Sequence, residues 1–481
     1  MQSYSVAILG AGVIGSFIFN TLTLKGVKCV LLEKQEDVAL GATKANSGII
    51  HAGYDAKPGT LKAKFNVEGA KLIQDIAQRL NVEMQNCGSL VVGKKEDLSK
   101  LKELYSRGKQ NGVENLQIIE KEELFTLEPN LNKDLCYGLY AKDAKIISPY
   151  LLTISLVDEA LLNGGQLKLN FDTISIKKDK DNFIITSKDN QKVKAKFLIN
   201  CTANGVNQIG KMLNEEEIPI SFVKGEYILL DKSVYGLVSR PIFPLPSSKG
   251  KGILACPTVH HNTFFGPTAV SVEDYDTSFS YDSLHTIKEK VGNMVDKIDF
   301  RKTIKLYAGV RVISGDDFVV KLENKTPNYI VLAGICSPGL SGAPAIANYV
   351  ADYVLSKGVK SRKVKLKKLK PIPKISQLDK ANQNLYINSE NGNYGEIVCN
   401  CEKITKGEIL QVLKNTRYRL TTDGIKRRLR VTMGHCGGSF CYPKLLKIMA
   451  DYYKVDQSQI VARGQSSLVV GDIKEGGIYD K

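Results

Sequence analysis

The sequence contains no tryptophan and only five histidines in 481 residues. It also has no uninterrupted apolar run near the ~20 residues that a membrane-spanning helix needs. The N-terminus, MQSYSVAILGAG, lacks the basic segment and apolar stretch that mark a secretory signal. These absences predict a cytoplasmic protein. Because that compartment is reducing, the ten cysteines are expected to be free thiols or metal ligands.

Acidic residues are outnumbered, with 50 against 67 lysines and arginines, which gives a formal net charge of +17. The excess is spread along the chain apart from one block, Lys357–Lys370, in which eight of fourteen residues are basic and none is acidic. No nucleic-acid-binding module accompanies this charge, so we expect no nucleic-acid partner. The block is interpreted as a solvated linker, and peripheral contact with anionic lipid or an acidic protein is the alternative.

A chain of this length exceeds one ordinary hydrophobic core, so two or three domains are expected. The first residues read as a βαβ unit, because two apolar strand patterns, Tyr4–Leu9 and Lys28–Leu32, flank a helical pattern over Val13–Lys25. Such a unit begins a parallel sheet that is covered by helices.

Glycines occupy the turn between the first strand and the helix. In Gly10-Ala-Gly12-Val-Ile-Gly15, the first glycine allows the tight turn, the second lets a pyrophosphate approach and the third lets helix and strand pack closely. Glu33 ends the second strand, where a carboxylate can bond a ribose hydroxyl. The pattern predicts a dinucleotide containing ADP and does not distinguish NAD from FAD.

Hydrophobic periodicity predicts further elements along the chain. Strand patterns at Ile218–Asp231, Gly252–Pro257 and Thr263–Pro267 indicate a second, more antiparallel sheet, and Tyr329–Cys336 returns to the buried-strand pattern. Helices are predicted over Leu61–Leu80, Lys95–Lys109, Pro149–Asn163 and Ala343–Leu355.

Several longer stretches are more specific than the glycine pattern. They are GATKANSGIIHAGYDAKPGTLKAKF (41–65), KGEYILL (224–230), KGKGILACPTVHHNTFFGPTA (249–269), AGVRVISGDDFVV (308–320) and GICSPGLSGAPAIANYV (334–350). Through most of residues 1–355 the sequence resembles the FAD-dependent glycerol-3-phosphate and L-2-hydroxyglutarate oxidoreductases, a branch of the D-amino-acid-oxidase-like flavoproteins. It departs from them at Cys201-Thr202-Ala203, where the family strand runs into Ala-Ala-Gly.

The resemblance implies FAD as the cofactor and gives His51 a role as the base that takes the substrate's hydroxyl proton. From its small apolar neighbours alone, His51 could instead be a buried histidine bonded to a backbone carbonyl. Arg311 is implied to bind the substrate anion, and the alternative is an ion pair with Asp316 or Asp317. Lys251 matches a family lysine near the substrate, although a loop lysine is the alternative.

Other positions are implied as cofactor or substrate contacts. For Ser47 and His260 the alternative is an ordinary turn or loop residue, and for the segment from Ser337 it is a capped helix. The predicted catalytic residues are His51, Arg311 and Lys251, and the predicted substrate contacts are these three with Tyr227 and His260. The predicted cofactor contacts are Gly10, Gly12, Gly15, Glu33, Ser47, Ser337, Gly339, Leu340 and Ser341.

Four cysteines near the C-terminus form a CxC pair, Cys399 and Cys401, and a CxxxxC pair, Cys436 and Cys441. In a reducing compartment this clustering favours a metal centre over disulfides. Structural zinc usually takes CxxC pairs, and zinc remains an alternative here. The stretch DGIKRRLRVTMGHCGGSFCYP resembles the bacterioferritin-associated-ferredoxin-like module, which implies a [2Fe-2S] cluster on the four thiolates.

These observations predict an α/β protein with a Rossmann-like FAD-binding domain, an inserted antiparallel-sheet substrate domain and a small C-terminal helical iron-sulfur domain. The oxidoreductase is expected over residues 1–355, with FAD-binding pieces at about 1–80, 145–215 and 305–355 and substrate-domain pieces at about 81–144 and 216–304. A basic and polar linker is expected over 356–396, the [2Fe-2S] domain over 397–455 and a tail over 456–481.

The resemblance implies oxidation of a small dianionic substrate, first sn-glycerol 3-phosphate to dihydroxyacetone phosphate. L-2-hydroxyglutarate is the alternative and amino-acid or opine oxidation is third. Electrons are expected to pass from FAD through the cluster to an acceptor protein or a quinone-linked chain. The expected location is cytoplasmic, with peripheral contact at the inner face of the membrane left open. A non-catalytic electron carrier is the alternative of a different class.

Overall fold

The computed structural model describes residues 1–246, 252–464 and 466–470. The chain divides into two compact units, of which the first comprises Met1–Lys34 and Val38–Lys368 and the second comprises Gln35–Asp37 and the chain from Leu369 onward. The division at Lys368 falls inside the predicted linker. None of the helices in the described ranges has the length and hydropathy needed to cross a bilayer.

The first unit contains two large sheets and a set of covering helices. Its helices are α1 (Val13–Leu24), α2 (Leu61–Arg79), α3 (Leu98–Gln110), α4 (Lys121–Leu127), α5 (Pro149–Leu162), α6 (Val206–Lys211), α7 (Tyr281–Gly292) and α8 (Gly339–Ser356). Its strands are β1 (Gln2–Leu9), β2 (Cys29–Leu32), β3 (Ile49–Ile50), β4 (Met84–Gln85), β5 (Ser89–Gly93), β6 (Leu116–Glu120), β7 (Tyr137–Ala141), β8 (Lys145–Ile147), β9 (Gln166–Lys168), β10 (Thr173–Asp179), β11 (Asn182–Ser187), β12 (Lys192–Asn200), β13 (Ser221–Leu230), β14 (Ile242–Pro244), β15 (Leu254–Pro257), β16 (Thr263–Gly266), β17 (Val270–Val272), β18 (Thr303–Ile313), β19 (Val319–Lys321) and β20 (Tyr329–Ala333).

The first large sheet has a parallel centre. Strand β1 lies between β2 and β12, and β9 and β20 extend the parallel part on either side. Antiparallel strands complete it, because β11 pairs with the first half of β12 and β19 pairs with β20. Every residue of β2 and every residue of β20 is buried, as expected of strands that are covered on both faces. The predicted Rossmann-like domain is confirmed.

The second large sheet is mainly antiparallel and runs in the order β17-β13-β16-β15-β14-β5-β7-β6, with β18 along the other side of β13. It is assembled from two separate stretches of the chain that interrupt the first sheet, so the predicted insertion is confirmed. Strand β18 continues to Ile313 and therefore crosses the predicted boundary near residue 305.

Helix α8 begins at Gly339, whereas the sequence predicted a start at Ala343, so the predicted start was wrong. In a helix that starts at Ala343, Pro344 would lie in the first turn, where proline is common. In the structure Pro344 lies inside the helix. The early start brings α8 against α2 at close range, because a Cβ added to Gly69 would lie 2.1 Å from the Ser341 carbonyl oxygen. This contact places the N-terminus of α8 beside the end of β3.

The second unit is small and largely helical, as predicted. Its strands are β21 (Ile397–Cys399) and β22 (Ile404–Thr405), and its helices are α9 (Lys380–Ile387), α10 (Lys406–Asn415), α11 (Thr422–Leu429) and α12 (Tyr442–Tyr453). Helix α9 lies within the predicted linker. Thr405 and Glu408 form a capping box at α10, and Pro443 lies in the first turn of α12. A core with Ile409, Ile425 and Leu445 joins the helices.

Candidate functional site

The glycine turn after β1 has the close contacts that its spacing predicts. Gly10 has φ +95°, and a Cβ there would lie 2.7 Å from the Cys201 carbonyl oxygen. A Cβ on Gly15 would lie 2.0 Å from the Gly10 carbonyl oxygen, so α1 and β1 can pack only through glycine. Glu33 Oε2 accepts a hydrogen bond from the Ala11 N–H at 2.7 Å. The turn therefore offers bare backbone and a helix N-terminus to a pyrophosphate.

Thr43 also contributes to this turn, although sequence reasoning did not select it. Its hydroxyl accepts a hydrogen bond from the N–H of Val13 at 3.0 Å, at the first turn of α1. A Cβ on Gly12 would lie 3.5 Å from the same Thr43 oxygen, which is ordinary contact. The segment that follows β2 thus packs directly on the predicted pyrophosphate site.

His51 follows β3 and lies against the N-terminus of α8. Its backbone N–H donates to Ser341 Oγ at 2.9 Å, and its Nε2 lies 3.5 Å from Ser337 Oγ. The ring packs at an angle against Phe243, with 5.8 Å between centroids. The structure therefore brings His51 together with the predicted segment that begins at Ser337 and includes Gly339 and Leu340.

Asn66 on α2 links the same two segments and was also missed from sequence. With its amide in the orientation that satisfies the neighbouring donors and acceptors, its nitrogen donates to Ser341 Oγ (3.3 Å) and to the His51 carbonyl oxygen (3.2 Å), and its oxygen accepts from the Gly53 N–H (2.8 Å). Ser341 and Asn66 are both buried. The backbone on each side of His51 is thus held by a fixed polar network.

A cavity of about 220 Å³ opens beside His51. Charged side chains from the loop after β3, the first turn of α2 and the loop after β18 line it, together with Ser337 just before α8. Lys62 donates from Nζ to the Asp316 carbonyl oxygen at 2.8 Å, which joins α2 to the loop after β18. A small polar molecule in this space would lie within reach of the imidazole. The charged lining residues are Asp55, Lys57, Lys62 and Asp316.

Arg311 lies half-buried on β18, and its Nη2 donates to the Thr268 carbonyl oxygen at 2.6 Å. Its Nε is buried without a hydrogen-bond partner among the described residues. The alternative ion pair with Asp317 does not form, because the Asp317 carboxylate accepts from the N–H groups of Leu61 and Lys62 at the start of α2. A guanidinium in this state has hydrogen-bonding capacity left for an anion.

Tyr227 connects Arg311 with the loop before His51. It is hydrogen-bonded to Ser47, and burial raises the pKa of Tyr227 while Ser47 and the Arg311 charge oppose that rise. Its ring stacks on Tyr307 with 4.8 Å between centroids. Strand β18 also touches the loop directly, because a Cβ on Gly309 would lie 2.2 Å from the Ala45 carbonyl oxygen. Segments more than 250 residues apart in the chain therefore meet here.

Two predicted substrate contacts are not placed in this group. His260 lies in the turn between β15 and β16, where its backbone N–H donates to Thr258 Oγ1 at 3.3 Å. Its role in the substrate pocket stays a prediction. Lys251 lies outside the described residues.

The four C-terminal cysteines converge in two pairs within the second unit. Cys401 and Cys436 have their sulfurs 3.7 Å apart, and the side chain of Cys399 contacts that of Cys441. Backbone N–H donors from residues 438–440 lower the pKa of Cys436, while burial raises that of Cys441. All four are free thiols.

The four thiols could hold the two irons of a [2Fe-2S] cluster. Gly434 leaves the space, since a Cβ there would lie 2.8 Å from Cys401 Sγ. In the described part of the chain, no group of three or more His, Cys, Asp or Glu side chains has the geometry to hold a metal ion. Two thiolate pairs are the ligand set of such a cluster, with one pair for each iron.

Comparison with known proteins covers both units. Residues 5–353 match the family described as FAD dependent oxidoreductase, and residues 397–451 match the BFD-like [2Fe-2S] binding domain. The glycerol 3-phosphate dehydrogenase of Caloramator mitchellensis is 38% identical over 475 residues, which cover 97% of this chain and 98% of that protein. The glycerol 3-phosphate oxidase of Mycoplasma genitalium is 31% identical over 365 residues, covering 74% of this chain and 95% of that protein.

Among solved structures, the dithionite-reduced, FAD-bound L-alpha-glycerophosphate oxidase of Mycoplasma pneumoniae aligns with a TM-score of 0.71 and 26% identity. The alignment covers 76% of this chain and 97% of that chain. The glycine turn, the His51 segment and the Arg311 strand all lie within the first of the two matched regions, and the four thiols lie within the second.

Proposed function

The chain belongs to the FAD dependent oxidoreductase family, and from this premise we propose that it oxidises sn-glycerol 3-phosphate to dihydroxyacetone phosphate. Its cofactors are FAD and, on the BFD-like domain, a [2Fe-2S] cluster. The proposal includes delivery of the electrons through the cluster to an external acceptor.

The observation that carries the choice of substrate class is the state of Arg311. Arg311 is half-buried, and its buried Nε without a partner is unfavourable unless an anion completes the hydrogen bonds of the guanidinium. The planar fork suits a phosphate or carboxylate group, and Tyr227 and Ser47 extend from it toward the His51 loop. A substrate with an anionic end and a secondary alcohol would therefore use Arg311 for the first and His51 for the second.

His51 supplies the proton chemistry in this proposal. FAD, when bound, accepts the hydride that leaves the alcohol carbon. The imidazole takes the hydroxyl proton at Nε2, the nitrogen that faces Ser337 Oγ. Ser341 and Asn66 hold the backbone of His51 and so fix the direction of the ring. The N-terminus of α8 adds a positive potential beside the reacting groups.

The second unit supports a dehydrogenase in preference to an oxidase. The relative named a dehydrogenase aligns over nearly the whole of this chain. The relative named an oxidase aligns over nearly all of its own length but covers only about three quarters of this chain. A one-electron centre on the additional segment suits an acceptor other than oxygen. We therefore assign Cys399, Cys401, Cys436 and Cys441 to the electron path.

The test is anaerobic reduction of the flavin in the holoprotein by separate substrates. We expect sn-glycerol 3-phosphate to bleach the visible flavin band faster than L-2-hydroxyglutarate or glycine does. Bleaching by L-2-hydroxyglutarate alone would show that this compound, and not sn-glycerol 3-phosphate, is the substrate. Bleaching by none of the three would favour a non-catalytic electron carrier.

A pair of arginine variants tests the anion site in the same assay. Arg311→Met should raise the substrate concentration needed for half-maximal bleaching, because the anion loses a bidentate partner. Arg301→Met is the matched control, since the side chain of Arg301 is 90% exposed and pairs with Asp299. Equal behaviour of the two variants would exclude Arg311 from substrate binding.

A further inference from the structure

The set of four cysteine thiols in the second unit has a buried inner half and a more exposed outer half. Cys399 and Cys441 are only 1% and 2% exposed. Cys401 and Cys436 are half-buried, and the residues beside Cys436 reach the surface, with Phe440 77% exposed. The cluster therefore has one side enclosed by the unit's core and one side that faces solvent.

The distance between their sulfurs allows the outer two cysteines to share an iron. Two thiolates on a tetrahedral metal with metal–sulfur bonds of about 2.3 Å lie about 3.8 Å apart. Cys401 Sγ and Cys436 Sγ are 3.7 Å apart, which fits ligands of a common iron. Cys399 and Cys441 contact each other and would hold the second iron. In that arrangement the two cysteines of the CxC pair would hold different irons.

Hydrogen-bond donors gather on the outer half. Backbone N–H groups of Gly438, Ser439 and Phe440 point at Cys436. The imidazole of His435 approaches the other outer ligand, with Nδ1 3.6 Å from Cys401 Sγ. A thiolate has no hydrogen to give, so this contact is attractive only when Nδ1 carries the proton.

We propose that His435 sets the potential of the cluster by donating a hydrogen bond from Nδ1 to the Cys401 thiolate on the outer iron. Reduction adds one electron and increases the negative charge on the ligand sulfurs, so a donor stabilises the reduced cluster more than the oxidised one. The donor raises the reduction potential on the half that faces solvent, which is the half from which an electron can leave toward a partner. His435 is a positioning residue and does not ligate iron.

The experiment is a redox titration of the full-length holoprotein with dithionite as reductant, followed by the EPR signal of the reduced cluster. Dithionite needs no substrate, so the result is independent of the proposed enzymatic activity. His435→Leu removes the donor and should lower the equilibrium constant for reduction about tenfold, equal to about 59 mV for one electron. His435→Asn places an amide N–H near the position of Nδ1 and should retain most of the wild-type potential. His285→Leu, on the exposed face of α7, is the control and should change nothing.

Pulsed EPR on the unmodified protein labelled with ¹⁵N-histidine gives a second readout that needs no substitution. The reduced cluster should show hyperfine coupling to one histidine nitrogen. The proposal is overturned if no such coupling is seen, if His435→Leu leaves the potential unchanged, or if His435→Asn shifts it as far as His435→Leu does.

Discussion

His51 owes its position to bonds made by its backbone and its neighbours, which leave the imidazole turned toward a cavity. Its N–H is held by Ser341, and its carbonyl oxygen is held by Asn66. The ring lies against Phe243 on one side and near Ser337 on the other. A substitution that keeps the backbone should therefore remove the base without disturbing the fold.

His51→Asn should slow anaerobic flavin reduction by roughly 10²–10⁴-fold, the usual contribution of a general base. Stopped-flow absorbance at saturating substrate measures this rate. The FAD content should stay at the wild-type level, because the glycine turn is untouched. His285→Asn on α7 is the matched control. An unchanged reduction rate in His51→Asn would show that His51 is not the base.

At the scale of elements, the βαβ unit depends on how closely α1 can approach β1. Gly15→Ala should lower FAD occupancy and stability, since the added methyl would lie 2.0 Å from the Gly10 carbonyl oxygen and the helix must shift. The ratio of flavin to protein absorbance and the thermal midpoint measure the two effects. In the control Gly292→Ala, at the end of α7, the added methyl meets nothing within 4 Å. Full FAD occupancy in Gly15→Ala would contradict the tight contact.

A second element-scale feature is the buried carboxylate of Glu226 on β13. It accepts hydrogen bonds from the Ser280 N–H (2.6 Å), the Thr268 hydroxyl (3.3 Å) and the Ser283 hydroxyl. Thr268 in turn accepts from Arg311 through its carbonyl oxygen. Glu226 thus ties the start of α7 to the turn that orients the guanidinium.

Glu226→Gln keeps the volume but presents an amide donor to groups that already donate. We expect a loss of about 1–3 kcal/mol in the free energy of unfolding, because buried donors lose their acceptor. The KM for the anionic substrate should rise more than kcat falls, since Arg311 loses its orientation. Urea unfolding measures the free energy of unfolding, and steady-state kinetics measure KM and kcat. The control is Glu273→Gln, at an exposed position. A change in stability with KM unaltered would confine Glu226 to a structural role.

At the scale of the whole molecule, the chain combines a two-electron cofactor with a one-electron centre. Anaerobic substrate should therefore bleach the flavin and also produce the EPR signal of the reduced cluster. In a Cys399→Ala, Cys401→Ala double variant, which lacks two cluster ligands, substrate should still bleach the flavin without that signal. Flavin bleaching in the wild type with no cluster reduction would show that the electrons leave by another path.

Local spacing made much of this molecule predictable. The glycine turn, the strand pattern before it and the four thiols are short patterns whose geometry follows from neighbouring residues, and the family and both cofactors are confirmed. The partners of Glu226, and the Ser341 partner of Asn66, lie far along the chain, so no local pattern signals them. The start of α8 was mispredicted, because its first residues pack against Gly69, a contact with a distant part of the chain that periodicity does not reveal.

The contact between Gly309 and Ala45 has a mechanical consequence. Where a strand contacts a loop backbone to backbone, no side chains lie between them that could repack to allow movement. At this point the second large sheet and the loop before β3 are in close backbone contact, so we expect little relative movement between them here. We therefore expect substrate entry and product exit to depend on the surface loops around the cavity beside His51, so mutations that loosen those loops should change turnover without changing the geometry of the chemistry.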